Sequence, residues 1–154
     1  MSPLSRRACA KVHGGMARSY AQLAAIIFAI IGVGGFITGD AGHVARGQAS
    51  GNFDGVALHL TYARDVVDLV VAAVFAYAGF VARQPLANSA VLAVSGFLLA
   101  LAVIGFITGD TDSGSRSIAS LHFPVAINIL DLIAGGLGVL SALASIDEPE
   151  RAPA

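Results

Sequence analysis

Two short stretches place charged side chains inside otherwise apolar sequence. The first holds Thr61, Arg64, Asp65 and Asp68; the second holds Asn128 and Asp131. Thr61, Asp65 and Asp68 are spaced i, i+4, i+7, which puts them on one face of a helix. Arg64 precedes Asp68 by four residues and can reach it. Asn128 and Asp131 repeat the spacing of Asp65 and Asp68, without an arginine beside them. A Leu-His pair opens each stretch, Leu58-His59 and Leu121-His122. Two chemistries fit these residues. Carboxyl groups brought together disfavour double ionisation, so the set could bind a proton or a cation, with His59 and His122 at its mouth. The same set could equally be a hydrogen-bonded clamp, with Arg64 neutralising Asp68 and Asn128 pairing with the other carboxylate. Both readings stay open on the sequence.

Other chemistries find less support. His43, His59 and His122, with Asp40 or Asp110, match no compact metal-ligand spacing, so no metal site and no cofactor are expected. No Walker loop, nucleophile elbow, Cys-x-x-Cys or His-Glu-x-x-His occurs, and no catalytic residue is assigned. Cys9 is the one cysteine, so no internal disulfide forms. The net charge of -1 offers no basic surface for nucleic acid.

The elements that carry the polar face must be membrane helices. Hydrophobic residues make up 56% of the 154 positions and charged residues 12%, against about 25% charged in a soluble domain. Mean hydropathy is +0.77. Four apolar segments are long enough to cross about 30 Å of hydrocarbon. They run over about 20–38, 58–82, 89–108 and 121–144, within a transmembrane domain of residues 19–144. Pro85 is expected to stop the second segment sharply. Pro124 suits the first turn of the fourth. Residues 1–18 form a basic tail with Arg6, Arg7, Lys11 and Arg18 and no acidic residue. Residues 145–154 read as a disordered tail. The first segment follows a basic stretch, as a cleaved signal would. It is longer than the usual apolar core of a signal peptide, and its end recurs mid-chain, so it is read as a retained span.

That recurrence is Gly35-Phe36-Ile37-Thr38-Gly39-Asp40, found again as Gly105-Phe106-Ile107-Thr108-Gly109-Asp110. Each half then reads as helix, outer loop, helix. The expected fold is all-α: a polytopic up-down four-helix bundle made of two tandem hairpins in parallel repeat, related by an axis along the membrane normal. The repeat places the two acidic faces opposite each other across the bundle axis. A charge at a helix centre costs about 2.5–3.5 kcal/mol on insertion scales, so neither Asp should face lipid. Gly35, Gly39, Gly105, Gly109 and Gly135 are expected to let helix backbones approach closely. With four spans, six of the nine Lys/Arg fall on the side of the termini. The positive-inside rule then places both termini in the cytoplasm. The expected partners are the lipid bilayer and, through the glycine-rich faces, a second copy or another membrane protein.

With these features the chain resembles the bacterial membrane family catalogued as domain of unknown function 4383. The resemblance covers about residues 20–144. It is carried by the stretch 31–40, by Asp65-Val66-Val67-Asp68-Leu69 and by Asn128-Ile129-Leu130-Asp131-Leu132. Asn128 matches the family's Asn in an Asn-x-x-His-type signature. Asp65 replaces that Asn in the first half, and Asp68 and Asp131 stand where the family has His. The resemblance implies a four-helix integral protein of the bacterial inner membrane. It implies no activity. The function expected is a structural or interaction role, the alternative being a proton- or cation-linked transport component that uses the paired aspartates.

Overall fold

The computed structural model of the chain describes residues 15–38, 52–53, 56–57, 61–108, 117–118 and 121–146. Apart from two very short ladders and a few cap and connecting residues the described residues are helical. Helix α1 spans Met16–Thr38, α2 Tyr62–Ala76, α3 Gln84–Thr108 and α4 Val125–Ile146. A π-helical turn, Tyr77–Val81, continues α2 without a break. Before α2 the two-residue strands β1 (Asn52–Phe53) and β2 (Val56–Ala57) pair antiparallel. Before α4, β3 (Ser117–Ile118) and β4 (Leu121–His122) do the same.

Helices α1, α3 and α4 are long and apolar enough to cross a membrane, the pattern of a multi-pass membrane protein. They are apolar around their whole circumference, as helices surrounded by lipid are. Ile37 and Ile107 point outward, 79% and 77% exposed. Small residues and a few rings fill the inside: Ala17, Ala21, Ala24 and Phe28 of α1, Phe75 and Ala78 around the end of α2, Val91 and Leu98 of α3. Phe75 is the hub. Its ring centroid lies 5.6 Å from Tyr20, edge-on, and 6.1 Å from Phe28.

Successive helices run antiparallel. At one end the Ala17 amide donates to Ser145 Oγ at 2.8 Å, and the Arg18 guanidinium donates to the Ala82 carbonyl. The start of α1, the end of α4 and the α2–α3 connection therefore lie together. At the other end α1 meets the start of α2, where Phe36 stacks on Tyr62 at 5.4 Å. The tightest packing is α1 on α2 and α3 on α4.

Several expected boundaries move, each for a local reason. Helix α1 begins inside the stretch read as tail, because the Ser145 hydroxyl satisfies an amide of its first turn. For the same reason α4 continues to Ile146, beyond the expected end. Helix α2 begins at Tyr62. Thr61 is its N-cap, extended at φ -107° and ψ 154°, with its hydroxyl accepting from the Arg64 amide at 3.2 Å. Leu121-His122 lies in β4, ahead of α4, and Pro124 sits just outside that helix, its carbonyl accepting from the Asn128 amide. Pro85 does not form a loop. Only Ala82 and Arg83 connect the π-turn to α3, and Pro85 lies in the first turn of α3, where a missing N–H does no harm.

Candidate functional site

The polar face of α2 is set by the Thr61 cap. Starting the helix there turns Arg64, Asp65 and Asp68 inward, at 1%, 0% and 0% exposure. From α4, Asn128 and Asp131 turn inward as well, at 1% and 0%. The set expected from spacing thus converges in the interior. Each of these side chains is shielded from the molecular surface.

Arg64 holds it together. Its guanidinium forks onto Asp131 of α4, Nη1 donating to Oδ2 at 3.0 Å and Nη2 to Oδ1 at 2.6 Å. On its other edge Nε makes an ion pair with Asp68 Oδ1 at 3.1 Å. All three nitrogens of one arginine therefore face carboxylates. Two of these contacts tie α2 to α4, which the backbones alone barely bring together. The planar fork is the arrangement that makes Arg–carboxylate pairs strong and directional.

Two expectations change here. Arg64 was expected to neutralise Asp68 alone; it reaches Asp131 as well, because the guanidinium can serve two carboxylates at once. Asn128 was expected to pair with a carboxylate. Its Nδ2 instead donates to the Phe123 carbonyl at 3.2 Å, in the chain just ahead of α4. Moving back 63 residues, Asp131 maps onto Asp68, Asn128 onto Asp65, and Ile127 onto Arg64. Ile127 is fully buried. The second stretch thus has an aliphatic side chain where the first has its cation.

The glycines explain how these groups fit. A Cβ at Gly35 would enter the Asp65 carboxylate, and a Cβ at Gly105 would enter the Asn128 amide. These are the first glycines of the two identical hexapeptides, each beneath the matching polar residue of the next helix. A Cβ at Gly135 would meet the Leu99 side chain and, at 2.8 Å, the Ser95 carbonyl. Gly39 and Gly109 lie outside the described residues, as do His59, His43, Asp40 and Asp110. His122 lies on β4. Among the described residues no three metal-ligating side chains converge.

Sequence spacing did not reveal a second polar layer at the opposite end, because its members come from separate helices. Tyr20 Oη donates to the Ala134 carbonyl at 2.5 Å. Gln22 Nε2 donates to the Gly79 carbonyl at 3.0 Å. The last carbonyls of any helix lack partners within it. Gln22 and Arg18 of α1 satisfy two of them, at Gly79 and Ala82. Gly79 permits the approach: a Cβ there would lie 2.8 Å from the Gln22 side chain. No family model, curated protein or solved structure matches the chain.

Proposed function

We propose that the chain is a small integral protein of the bacterial inner membrane, with four spans built as two tandem hairpins and both termini in the cytoplasm. Its role is structural or interactive, and its intramembrane polar cluster is a clamp between α2 and α4. The observation that carries this reading is the single guanidinium shared by Asp68 and Asp131, all three side chains at 1% exposure or less. A buried, forked ion pair fixes the relation of two helices. The fourth span in this reading is α2 with its π-turn, 15 residues followed by 5. The matched contacts Gly35–Asp65 and Gly105–Asn128 support the tandem design. The resemblance to the family of domain of unknown function 4383 belongs to the same proposal and rests on the polar stretches of the two halves.

One observation favours the alternative, a proton-linked transport component. Asp68 and Asp131, both buried, share the guanidinium of Arg64. Fully ionised, Arg64, Asp68 and Asp131 would carry a formal charge of -1, and unbalanced buried charge is costly. Vesicles containing the purified protein and a trapped pH-sensitive dye separate the two readings. The clamp reading expects proton leak no faster than in empty vesicles. A protein-dependent leak that vanishes in Asp131→Asn would replace it with the transport reading.

A further inference from the structure

The seam between α2 and α3 packs less tightly than α1 on α2 or α3 on α4, and it runs from an apolar part to a basic end. Its upper part is a cavity of about 340 Å³, within the size range of small-ligand sites. Every side chain lining it is aliphatic or aromatic, among them Val66, Val70 and Val74 of α2 and Val94 and Phe97 of α3. Its lower part is a second cavity of about 510 Å³ at the α2–α3 connection, lined by Tyr77, Val81, Arg83 and Leu86 among others. Both cavities follow one stripe on each helix. On α2 and its π-turn the positions are 66, 70, 74, 77 and 81; on α3 they are 86, 93 and 97. Those steps of three, four and seven residues keep to one helix face.

The polar end of this seam is basic. Arg83 is exposed at the connection. Arg18 reaches the same turn and donates to the carbonyl of Ala82, itself a lining residue; its Nε is buried without a hydrogen-bond partner. Among the described residues no acidic side chain pairs with Arg18 or Arg83. Tyr77, 47% exposed, stands between the basic end and the valines, as tyrosines do at a membrane–water boundary. A long apolar slot ending in guanidinium groups that have no carboxylate partner among the described residues is complementary to one kind of molecule, a chain-bearing anion.

We propose that the α2–α3 seam holds one anionic phospholipid, its phosphate at Arg83 and one acyl chain along Val66, Val70, Val74 and Phe97. This rests on the reading of the chain as membrane-embedded and adds a defined lipid to it. Packing explains why lipid is held there: α1–α2 and α3–α4 close tightly, whereas α2 and α3 leave a slot that bilayer chains must fill.

The test is native mass spectrometry of the full chain in detergent micelles, with equal amounts of dioleoyl phosphatidylglycerol and dioleoyl phosphatidylcholine. The expected spectrum shows one bound lipid, the phosphatidylglycerol adduct favoured about tenfold, the worth of one charge-assisted contact. Arg83→Gln brings the two adducts to parity. Val70→Trp, at a 57% exposed position, fills the slot and removes both. Leu137→Trp, on the lipid-facing side of α4 at 52% exposure, leaves the spectrum of the wild type and controls for folding. Equal adducts in the wild type, or a Val70→Trp spectrum unchanged from it, would show only a non-selective lipid coat and overturn the proposal. A dimer that forms in place of the adduct and breaks with Val70→Trp overturns it too, giving the seam to a second copy. A chain that stays soluble without detergent sinks the membrane reading as well.

Discussion

Arg64 is the residue on which the interior depends. Removing one partner of a buried ion pair leaves uncompensated charge and costs about 3–5 kcal/mol, whereas replacing the whole set by apolar residues is often neutral or stabilising. Arg64→Met should therefore lower thermal stability in detergent markedly. The triple change Arg64→Met, Asp68→Leu and Asp131→Leu should recover most of the loss. If the triple variant is no more stable than the single one, the cluster is not a simple clamp. Ile127 shows that this interior tolerates an aliphatic side chain at the matching place. The glycines give a second measurement. Gly35→Ala and Gly105→Ala should each cost on the order of 1–3 kcal/mol, the usual penalty for overpacking. Gly96→Ala and Gly136→Ala meet nothing within 4 Å and should gain up to about 1 kcal/mol from helix propensity. Equal effects at all four sites would show that close approach is not what the buried glycines provide. Asp65, Asp68, Asn128 and Asp131 were legible as a buried face from spacing alone. The second partner of Arg64 was not, because it lies 67 residues away and its choice depends on where α4 packs.

At the scale of elements, the helices follow from apolar length, and their ends follow from contacts that no local pattern carries. Ser145 is the clearest case. Its hydroxyl accepts from the Ala17 amide and donates to the Ser141 carbonyl at 2.9 Å, so α4 caps α1. Ser145→Ala should cost about 1 kcal/mol, the typical worth of an N-cap. It should also speed hydrogen exchange at the first amides of α1 while leaving Phe28 and its neighbours protected. Uniform acceleration along α1 would mean that the contact supports the whole bundle instead. The π-turn was illegible for a related reason. Nothing in Tyr77-Ala78-Gly79-Phe80-Val81 marks a wide turn, although Gly79 marks a close approach. Pro85 misled because proline both ends helices and begins them, and only the two-residue connection Ala82-Arg83 decides between those uses.

For the whole molecule, the described interior combines small and aromatic residues with a buried charged cluster while large aliphatic side chains face outward, the reverse of a water-soluble bundle. That inversion was legible in composition before any coordinates. The proposed orientation was legible only as a count of Lys and Arg, and it has a direct check. Cys9 is the sole cysteine. A membrane-impermeant maleimide applied to intact spheroplasts should leave it unlabelled and should label it after permeabilisation. Labelling of intact spheroplasts would invert the proposed topology.

The guanidinium that joins α2 to α4 also sets an order on biogenesis. A ribosome delivers Arg64 well before Asp131, so the nascent N-terminal half spends the synthesis of 67 further residues with its fork empty. The last helix to emerge is therefore the one that locks the first hairpin. A chain cut short before α4 would keep the Arg64–Asp68 pair but leave the forked edge of the guanidinium without its second carboxylate.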